Sequence, residues 1–120
     1  MDNGAQVLVD GYQPQTQISL HVSCWNLFKM DTFSPSDPLV KVFLKNNWRD
    51  GTHWVEIGET EKIENDADPN FVKFFEMDYF FEKRQELKFE CHDVDLVGKW
   101  RELGLIGQCE TTLGKVIGSP

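Results

Sequence analysis

The amino-acid sequence predicts an all-β protein folded as an antiparallel sandwich. Apolar and polar residues alternate with a period of two through most of the chain, which is the pattern of half-buried strands. Turn-forming Gly, Pro, Asn and Asp residues separate the alternating runs. No stretch shows a convincing apolar stripe at the spacing of a helix. Six or seven short strands with turns between them are typical of two packed antiparallel sheets.

The alternation predicts the position of each strand. It is unbroken in the first clear run, repeats in the second, becomes weaker and more charged in the third, and returns later in the chain. In chain order, the predicted strands cover residues 17–24, 38–45, 54–63, 71–81, 86–93 and 105–113, with a short additional strand at 6–10. The 71–81 run is apolar on both faces, which predicts a central strand.

The composition indicates a single acidic domain. The chain has 120 residues and a formal net charge of −8, and this length is enough for one hydrophobic core. The charge disfavours a nucleic-acid partner, because phosphate binding needs clustered Lys and Arg. It also predicts repulsion from an anionic membrane unless a cation intervenes. The sequence contains no apolar run long enough to span a bilayer and no signal peptide at its start, so a cytoplasmic location is expected.

The cysteines agree with a reducing compartment. There are three, at wide and unrelated spacings, which matches neither a disulfide framework nor a zinc knuckle. The alternation places Cys24 and Cys91 on the apolar faces of their strands. Both are therefore predicted to be core residues.

Acidic residues gather where predicted strands meet loops. Asp31 and Asp37 flank the loop after the first clear strand, and Asp93 and Asp95 stand where a later strand ends. Alternate residues at a strand end leave on the same side, so Asp93 and Asp95 can both reach one ion. Calcium takes about six to eight oxygen ligands, which requires carboxylates from more than one loop. Acidic loops are also ordinary turn formers, and from these residues alone both interpretations stay open.

Several motifs, in order along nearly the whole chain, resemble those of C2 domains. They are 18–27 (ISLHVSCWNL), Asp31, 36–40 (SDPLV), 60–63 (TEKI), 68–71 (DPNF), 93–95 (DVD) and 105–107 (LIG). A narrower similarity, to the first C2 domain of the copines, is carried by 29–34 (KMDTFS), 54–61 (WVEIGETE), 78–82 (DYFFE) and 109–114 (CETTLG). On this resemblance, residues 17–120 form the C2 domain. Residues 1–16 form an N-terminal segment with room for a short strand.

The resemblance implies a fold and a site. The fold is an eight-stranded antiparallel sandwich of C2-type Greek-key order, in which three loops at one end hold calcium and carry the protein to phospholipid membranes. By position, Asp31 and Asp37 correspond to ligands from the first loop. Asp93 and Asp95 correspond to the paired ligands of the third loop, and the main-chain carbonyl of Met30 completes the shell.

Two features depart from the family pattern. Gly104 stands where family members with a full ligand set carry another Asp, and Glu102 is the nearby acid that could substitute. One calcium ion is therefore expected. The family fold also has one or two further strands after Leu113. We therefore expect either a fragment of a longer copine-like protein or another cover over the open sheet edge.

The function that the resemblance implies is calcium-dependent binding to anionic phospholipid membranes, with reversible recruitment from the cytoplasm. Phe33 in the first loop and Trp100 in the third are the expected lipid contacts, since aromatic rings favour the membrane interface. Leu96 and Val97 are further candidates, or they pack against the sandwich. The alternative is a calcium-independent protein-interaction domain with a degenerate metal site, of which Gly104 is the first sign.

Enzymatic activity is not expected. The sequence pairs no Ser or Cys nucleophile with His21, His53 or His92 by a recognisable motif. Two acids at one strand end do not straddle a substrate as the carboxylates of a glycosidase do.

A phosphoinositide site on strand lysines is also disfavoured. Lys41 and Lys45 share one face of their strand, but Phe43 interrupts that face. The neighbouring strand is expected to offset the lysine charges with Glu59 and Glu61.

Overall fold

The computed structural model describes residues 15–27, 36–48 and 51–118. Within them the chain forms six strands and one short helix. In chain order these are β1 (Gln15–Ser23), β2 (Pro38–Trp48), β3 (Gly51–Glu59), β4 (Asn70–Phe80), β5 (Glu86–Val97), β6 (Trp100–Thr112) and α1 (Leu113–Ile117). The short strand predicted at residues 6–10 lies outside the described residues.

The described strands pair into two antiparallel sheets. One contains β1 and β4, and the other has the order β3-β2-β5-β6. The pairings β1 with β4, β2 with β3, β2 with β5, and β5 with β6 are all antiparallel. Buried side chains of both sheets meet in one cluster between them. The predicted antiparallel sandwich is therefore confirmed.

The core is formed at the inward positions that the alternation predicted. Leu20 of β1 and Phe75 of β4 are buried against Val42 of β2 and against Leu87 and Cys91 of β5. Burying a side chain of this size contributes roughly 1.5–3 kcal/mol to folding. The contact between the two sheets is therefore the main source of stability, and Cys91 is a core residue as predicted.

β4 differs from the central strand that its apolar character predicted. In the described part of the chain it pairs with β1 alone. Phe71 and Phe75 are buried, whereas Val72 is 84% exposed and Phe74 stacks on the ring of His21, with 5.1 Å between ring centroids. The apolar outer face of β4 therefore reflects a cross-strand aromatic contact with β1 rather than burial between two layers.

The end of the described chain also differs from the prediction. β6 begins earlier, at Trp100, because β5 and β6 continue as a hairpin through a turn at Gly98, whose φ of 63° suits glycine. Leu113 begins α1 instead of ending a strand. The Thr112 hydroxyl accepts a hydrogen bond from the main-chain N–H of Lys115 at 3.3 Å and so caps this helix. No helix of the described residues is long and apolar enough to cross a membrane.

A β-bulge interrupts the pairing of β5 with β6. Cys91 pairs with Gly107, but the next residue of β5, His92, pairs with Leu105. Ile106 is therefore an extra residue on β6. The bulge determines which residues of β6 lie opposite the acidic end of β5.

Gly58 of β3 lies against Phe75 of β4, where the two sheets meet. A Cβ atom at Gly58 would lie 2.8 Å from Cε1 of the Phe75 ring, which is closer than van der Waals contact allows. Phe75 is buried in the core, so its ring has little room to move away. The packing of β3 on β4 therefore requires glycine at this position.

Replacing Gly58 with alanine is expected to destabilise the fold by about 1–3 kcal/mol, because the added methyl group overpacks the core against Phe75. Denaturant titration, giving the free energy of unfolding, measures the effect. Gly107→Ala is the matched control, since a Cβ at this strand glycine meets nothing within 4 Å, and its stability should stay within about 0.5 kcal/mol of the parent chain. Equal losses in both variants would contradict the packing argument.

Candidate functional site

Connections from three parts of the chain meet at one end of the sandwich. The pairing registers place the end of β1, the start of β2, the end of β3, the start of β4 and the β5–β6 turn at this end. The first connection covers residues 24–37, the second 60–69, and the third is the turn at 98–99. Of the first connection, residues 28–35 lie outside the described residues.

Main-chain hydrogen bonds join the first two connections. The N–H of Cys24 donates to the carbonyl of Pro69 at 3.0 Å, next to the end of β1. The N–H of Asp66 donates to the carbonyl of Ser36 at 3.1 Å, next to the start of β2. The second connection is therefore fixed to both ends of the first, and the loop end is one connected layer.

Asp37 and Asp93 are in contact at the base of this layer. The main-chain N–H of Asp37 donates to Oδ1 of Asp93 at 2.9 Å, and its carbonyl accepts from the N–H of Val94 at 3.0 Å. Oδ1 of Asp37 accepts from the N–H of Asn65 at 2.7 Å, which adds the second connection. Each carboxylate uses one oxygen in a main-chain bond and has its Oδ2 atom to offer to a cation.

Asp93 is only 8% exposed, although it is ionisable. Burying a carboxylate costs several kcal/mol unless hydrogen bonds or an opposite charge compensate for the lost water. The N–H of Asp37 supplies one partner. The burial therefore favours a cation beside this group, and the oxygen donors suit a hard ion such as calcium.

Asp95 and Glu102 lie directly opposite each other across the β5–β6 hairpin. Gly104 has the equivalent place opposite Asp93. Residues in such positions share a face, with Cβ atoms about 4.5–5.5 Å apart, and like charges there are destabilising. A cation near Asp95 and Glu102 would remove that repulsion. Glu102, the acid that could substitute for the one absent at Gly104, therefore lies beside a candidate ligand.

The structure assembles the predicted ligand set in part. It brings Asp37 and Asp93 together, whereas Asp95 is exposed farther out on the hairpin. Among residues 15–27, 36–48 and 51–118, no three His, Cys, Asp or Glu side chains form a group that could hold a metal. Asp31 and the carbonyl of Met30 lie outside these residues.

Asp66 and Asp68 shape the second connection. Oδ1 of Asp66 accepts from the main-chain N–H of Asp68 at 2.8 Å, and Oδ1 of Asp68 accepts from the N–H of Asn26 at 2.6 Å. Bonds of this kind are the usual local role of Asp in turns. The turn-forming interpretation of loop acids thus applies to these two residues.

Apolar side chains are exposed at the same end of the molecule. Trp100 is 74% exposed at the start of β6, and Leu96 is 71% exposed on the facing strand of the hairpin. Trp25, just after β1, is 80% exposed. Trp25 is not among the contacts that the sequence predicted, and the signal that could have found it is an aromatic residue directly after an alternating strand. Phe33 lies outside the described residues.

The outer face of β2, β3 and β5 carries lysines that lie beside carboxylates. The Nζ–oxygen distances are 3.2 Å for Lys41–Glu56, 3.9 Å for Lys45–Glu86 and 3.2 Å for Lys88–Glu90. The Nζ atom of Lys88 also lies 4.7 Å from the ring of Phe43 and 5.2 Å from that of Trp54. The lysine charges on this face are locally compensated.

Glu61 contacts β4 and not the lysines, so the role predicted for it is wrong. Its carboxylate accepts hydrogen bonds from the main-chain N–H groups of Val72 and Lys73 at 2.7 and 3.1 Å. These bonds, above all the one from Val72, hold the pKa of Glu61 below its ordinary value. They also satisfy main-chain donors of β4 that would otherwise face another strand or solvent.

The chain belongs to the C2 domain family, whose model matches residues 17–120. Within that family the similarity is to copines. The chain is 43% identical to Copine-E and 34% identical to Copine-D of Dictyostelium discoideum, over 88% and 89% of its length. It is 32% identical to Nicotinic receptor-associated protein 1 of Caenorhabditis elegans over 92% of its length. The aligned regions cover only 18%, 21% and 20% of these relatives.

Solved structures show the same fold. A C2 domain of plant Extended Synaptotagmin 1 aligns with a TM-score of 0.62 at 20% identity, covering 84% of this chain and 70% of that one. BON1-C2B aligns with a TM-score of 0.61 at 27% identity, covering 86% and 67%. Human GIVD cytosolic phospholipase A2 aligns with a TM-score of 0.60 at 17% identity, covering 84% of this chain but 13% of its own. The C2-type sandwich is therefore confirmed.

An ion pair braces the projecting hairpin. The Nη1 and Nη2 atoms of Arg101 donate to the two carboxylate oxygens of Glu59, at the end of β3, at 2.7 and 3.0 Å. This paired contact holds the pKa of Glu59 below its ordinary value of 4.5. The orientation of the exposed hairpin is thus coupled to the opposite edge strand of the sheet.

Glu59→Gln is expected to lower stability at neutral pH by less than about 1 kcal/mol, because the ion pair is partly exposed to solvent. A carboxylate whose pKa is depressed by folding stabilises the fold above its unfolded pKa, and this contribution is lost as pH falls through the lower folded value. The difference between variant and parent chain should therefore vanish at acidic pH. Thermal unfolding from neutral to acidic pH checks this, with Glu82→Gln in the exposed turn after β4 as control. A difference independent of pH would contradict it.

Proposed function

We propose that this domain binds anionic phospholipid membranes in a calcium-dependent manner, and that it moves reversibly between cytoplasm and membrane. The observation that carries the proposal is the contact between Asp37 and Asp93. It places acids from two different loop regions at one point and buries one of them. A pair of acids at an exposed loop end, one of them buried and the other half-buried, suits a cation that also contacts something outside the protein.

The residues proposed to hold the ion share oxygen donors and positions at the loop end. They are Asp31, Asp37, Asp93, Asp95 and the carbonyl of Met30. Glu102 lies opposite Asp95 and adds a further carboxylate. Bound calcium would supply positive charge and coordination positions that accept phosphate or carboxylate oxygens of a lipid headgroup.

The charge of the chain makes the proposed binding conditional on the ion. The net charge is −8, and the loop end is rich in acids. An anionic surface is repelled by such a loop end, because each pair of like charges at 4 Å costs about 1 kcal/mol even in bulk water. Neutralising the loop acids removes this barrier, so the domain acts as an electrostatic switch.

The exposed apolar residues at the loop end support a second, non-electrostatic contribution to the proposed membrane binding. Trp25 and Trp100 project there with most of their surface exposed. Tryptophan favours the boundary between hydrocarbon and headgroups, where its ring is buried and its N–H is hydrated. The proposed order of events is ion binding, headgroup contact and insertion of these rings.

A protein-interaction function is the second candidate. It is favoured by the name of the Caenorhabditis elegans relative, which associates that protein with a nicotinic receptor. The described residues, which contain no assembled group of three metal-binding side chains, are compatible with it. Titration calorimetry with Ca²⁺, with and without vesicles containing phosphatidylserine, separates the two candidates. Heat and vesicle binding that both require Ca²⁺ support the proposal, and their absence favours protein interaction.

The double variant Asp37→Asn, Asp93→Asn is expected to lose calcium binding while keeping the fold. The asparagine side-chain oxygen can still accept the main-chain hydrogen bonds, and the removal of two like charges should leave stability unchanged or slightly higher. Calorimetry measures binding and thermal unfolding measures stability. Asp78→Asn, on an exposed part of β4 toward the opposite end, is the matched control and should bind as the parent chain does. Parent-like binding by the double variant would show that the site lies elsewhere.

Trp100→Ala and Trp25→Ala are each expected to weaken calcium-dependent sedimentation with anionic vesicles, by about tenfold for an interfacial aromatic ring. The melting temperature should be unchanged, since both rings are largely exposed. Phe81→Ala is the control, because Phe81 is 73% exposed in the turn at the opposite end of β4. An equal effect of Phe81→Ala, or a large fall in melting temperature for either tryptophan, would argue against membrane contact.

A further inference from the structure

The three cysteines of the chain, distant in sequence, converge on one groove. The groove has a volume of about 510 Å³ and lies between the end of β1, β5 and β6. Cys24, Cys91 and Cys109 all line it, among apolar side chains that include Leu20 and Ile106. Its wall is largely apolar, with His21, Ser23, Asn26 and Gln108 as the other polar residues of its lining, and the thiols are its oxidisable groups.

Two of these thiols come from different sheets and meet at the same groove. Cys24 follows β1 in one sheet and Cys91 lies within β5 in the other, both line the groove, and Cys24 packs against the core cluster that contains Cys91. Cys91 is buried in the core cluster, whereas Cys24 is half-buried and packs at the margin of that cluster. One thiol of the pair is thus reachable from the groove and the other lies directly behind it.

Accessibility determines which thiol reacts first, because Cys24 is half-buried at the groove whereas Cys91 is buried in the core. The neighbouring Cys91 also lowers the pKa of Cys24, while burial opposes this effect. The thiolate is the reactive form of cysteine, and a neighbouring donor increases its population. An accessible thiolate beside a second cysteine is the arrangement found in redox-sensitive pairs.

We propose that Cys24 and Cys91 form a peroxide-sensitive thiol pair, in which Cys24 is oxidised from the groove and Cys91 resolves it to a disulfide between the two sheets. The oxidant is a small hydroperoxide, because the groove is open while the second thiol is buried. Cys109, exposed on β6, is a bystander.

The reaction balances without a metal or a cofactor. The Cys24 thiolate attacks one peroxide oxygen, an S–O bond forms, the O–O bond breaks, and the leaving hydroxide takes a proton to become water. The sulfur of Cys91 then attacks that of Cys24, an S–S bond forms, the S–O bond breaks, and a second water leaves with the proton of Cys91. Two thiols are oxidised and one peroxide is reduced to two waters.

The disulfide would join the two sheets close to the loop end. Cys24 is fixed by its main-chain bond to Pro69, and Cys91 lies two residues before the buried Asp93. A covalent bond here would close a long loop of the chain and restrict separation of the sheets. Its formation is independent of calcium binding, so the proposal stands or falls apart from the proposed function.

The test begins with the reduced, folded chain treated with hydrogen peroxide in the absence of calcium. Two of the three thiols should disappear, no disulfide-linked dimer should form, and peptide mapping without reductant should link the peptide of Cys24 to that of Cys91. Cys109 should remain open to alkylation, and dithiothreitol should restore all three thiols. A disulfide that includes Cys109, or one between two chains, would overturn the proposal.

Matched variants test the order of events. Cys109→Ser should form the disulfide as the parent chain does, and Cys24→Ser should form none. Cys91→Ala should accumulate a sulfenic acid on Cys24 that dimedone traps, and a folded Cys91→Ala chain without this adduct would contradict the assignment of the first reacting thiol. The parent chain unfolded in guanidinium provides the remaining control. Selective formation of the Cys24–Cys91 disulfide in the unfolded chain would show that proximity in the fold is not the cause of this pairing.

Discussion

The hydrogen bond from the main chain of Asp37 to the side chain of Asp93 holds together the loop regions that form the candidate site. It connects the entry into β2 with the exit from β5, and Asp37 extends the connection to the second loop through Asn65. A carboxylate as buried as Asp93 is stable only when its oxygens have partners. The loop end is therefore ordered by an acid, and the group that fixes the loops is also one that attracts a cation.

Charge is distributed differently over the two regions of the surface. On the outer face of the larger sheet, lysines lie beside carboxylates and the opposite charges compensate each other locally. At the loop end, acids face acids, as Asp95 faces Glu102 across the hairpin. The first arrangement compensates its own charges, whereas the second leaves like charges opposed, which a bound cation would relieve. This contrast, more than the total charge, distinguishes a binding surface from a solvated one.

Local patterns in the sequence were sufficient for the strands, and long-range contacts account for what they missed. The period of two predicted the inward positions of Val42 and Leu87, because alternation follows directly from strand geometry. The role of Glu61 could not be predicted, since it depends on β4 lying beside the end of β3 in space. The same holds for the β5–β6 hairpin. Its extent comes from pairing between strands, and the acidic and apolar residues within it resemble those of an open loop.

The candidate site, like the fold, could be predicted from the sequence only in part. Resemblance to a family was enough to name Asp37 and Asp93, and the structure shows them in contact. The sequence pattern gave no indication that Cys24 and Cys91 line the same groove, because this requires the two sheets to pack in one particular way. Leu113 is the opposite case. Its helix is capped by Thr112, a residue type that favours this position, so a local signal was present but was outweighed by the preceding alternation.

The β-bulge at Ile106 determines which residues of β6 lie opposite the acids at the end of β5. Because the bulge leaves Ile106 unpaired, Glu102 falls opposite Asp95. If Ile106 paired with His92 in a regular ladder instead, every residue of β6 nearer the turn would move by one place and change face. Leu103 would then stand opposite Asp95, and Glu102 would point away from the acids. Losing any one residue from 103–106 would let the ladder run without a bulge and keep Glu102 opposite Asp95. Gaining one residue there without a second bulge would instead move Glu102 opposite Leu96, and so remove that carboxylate from the site without any substitution.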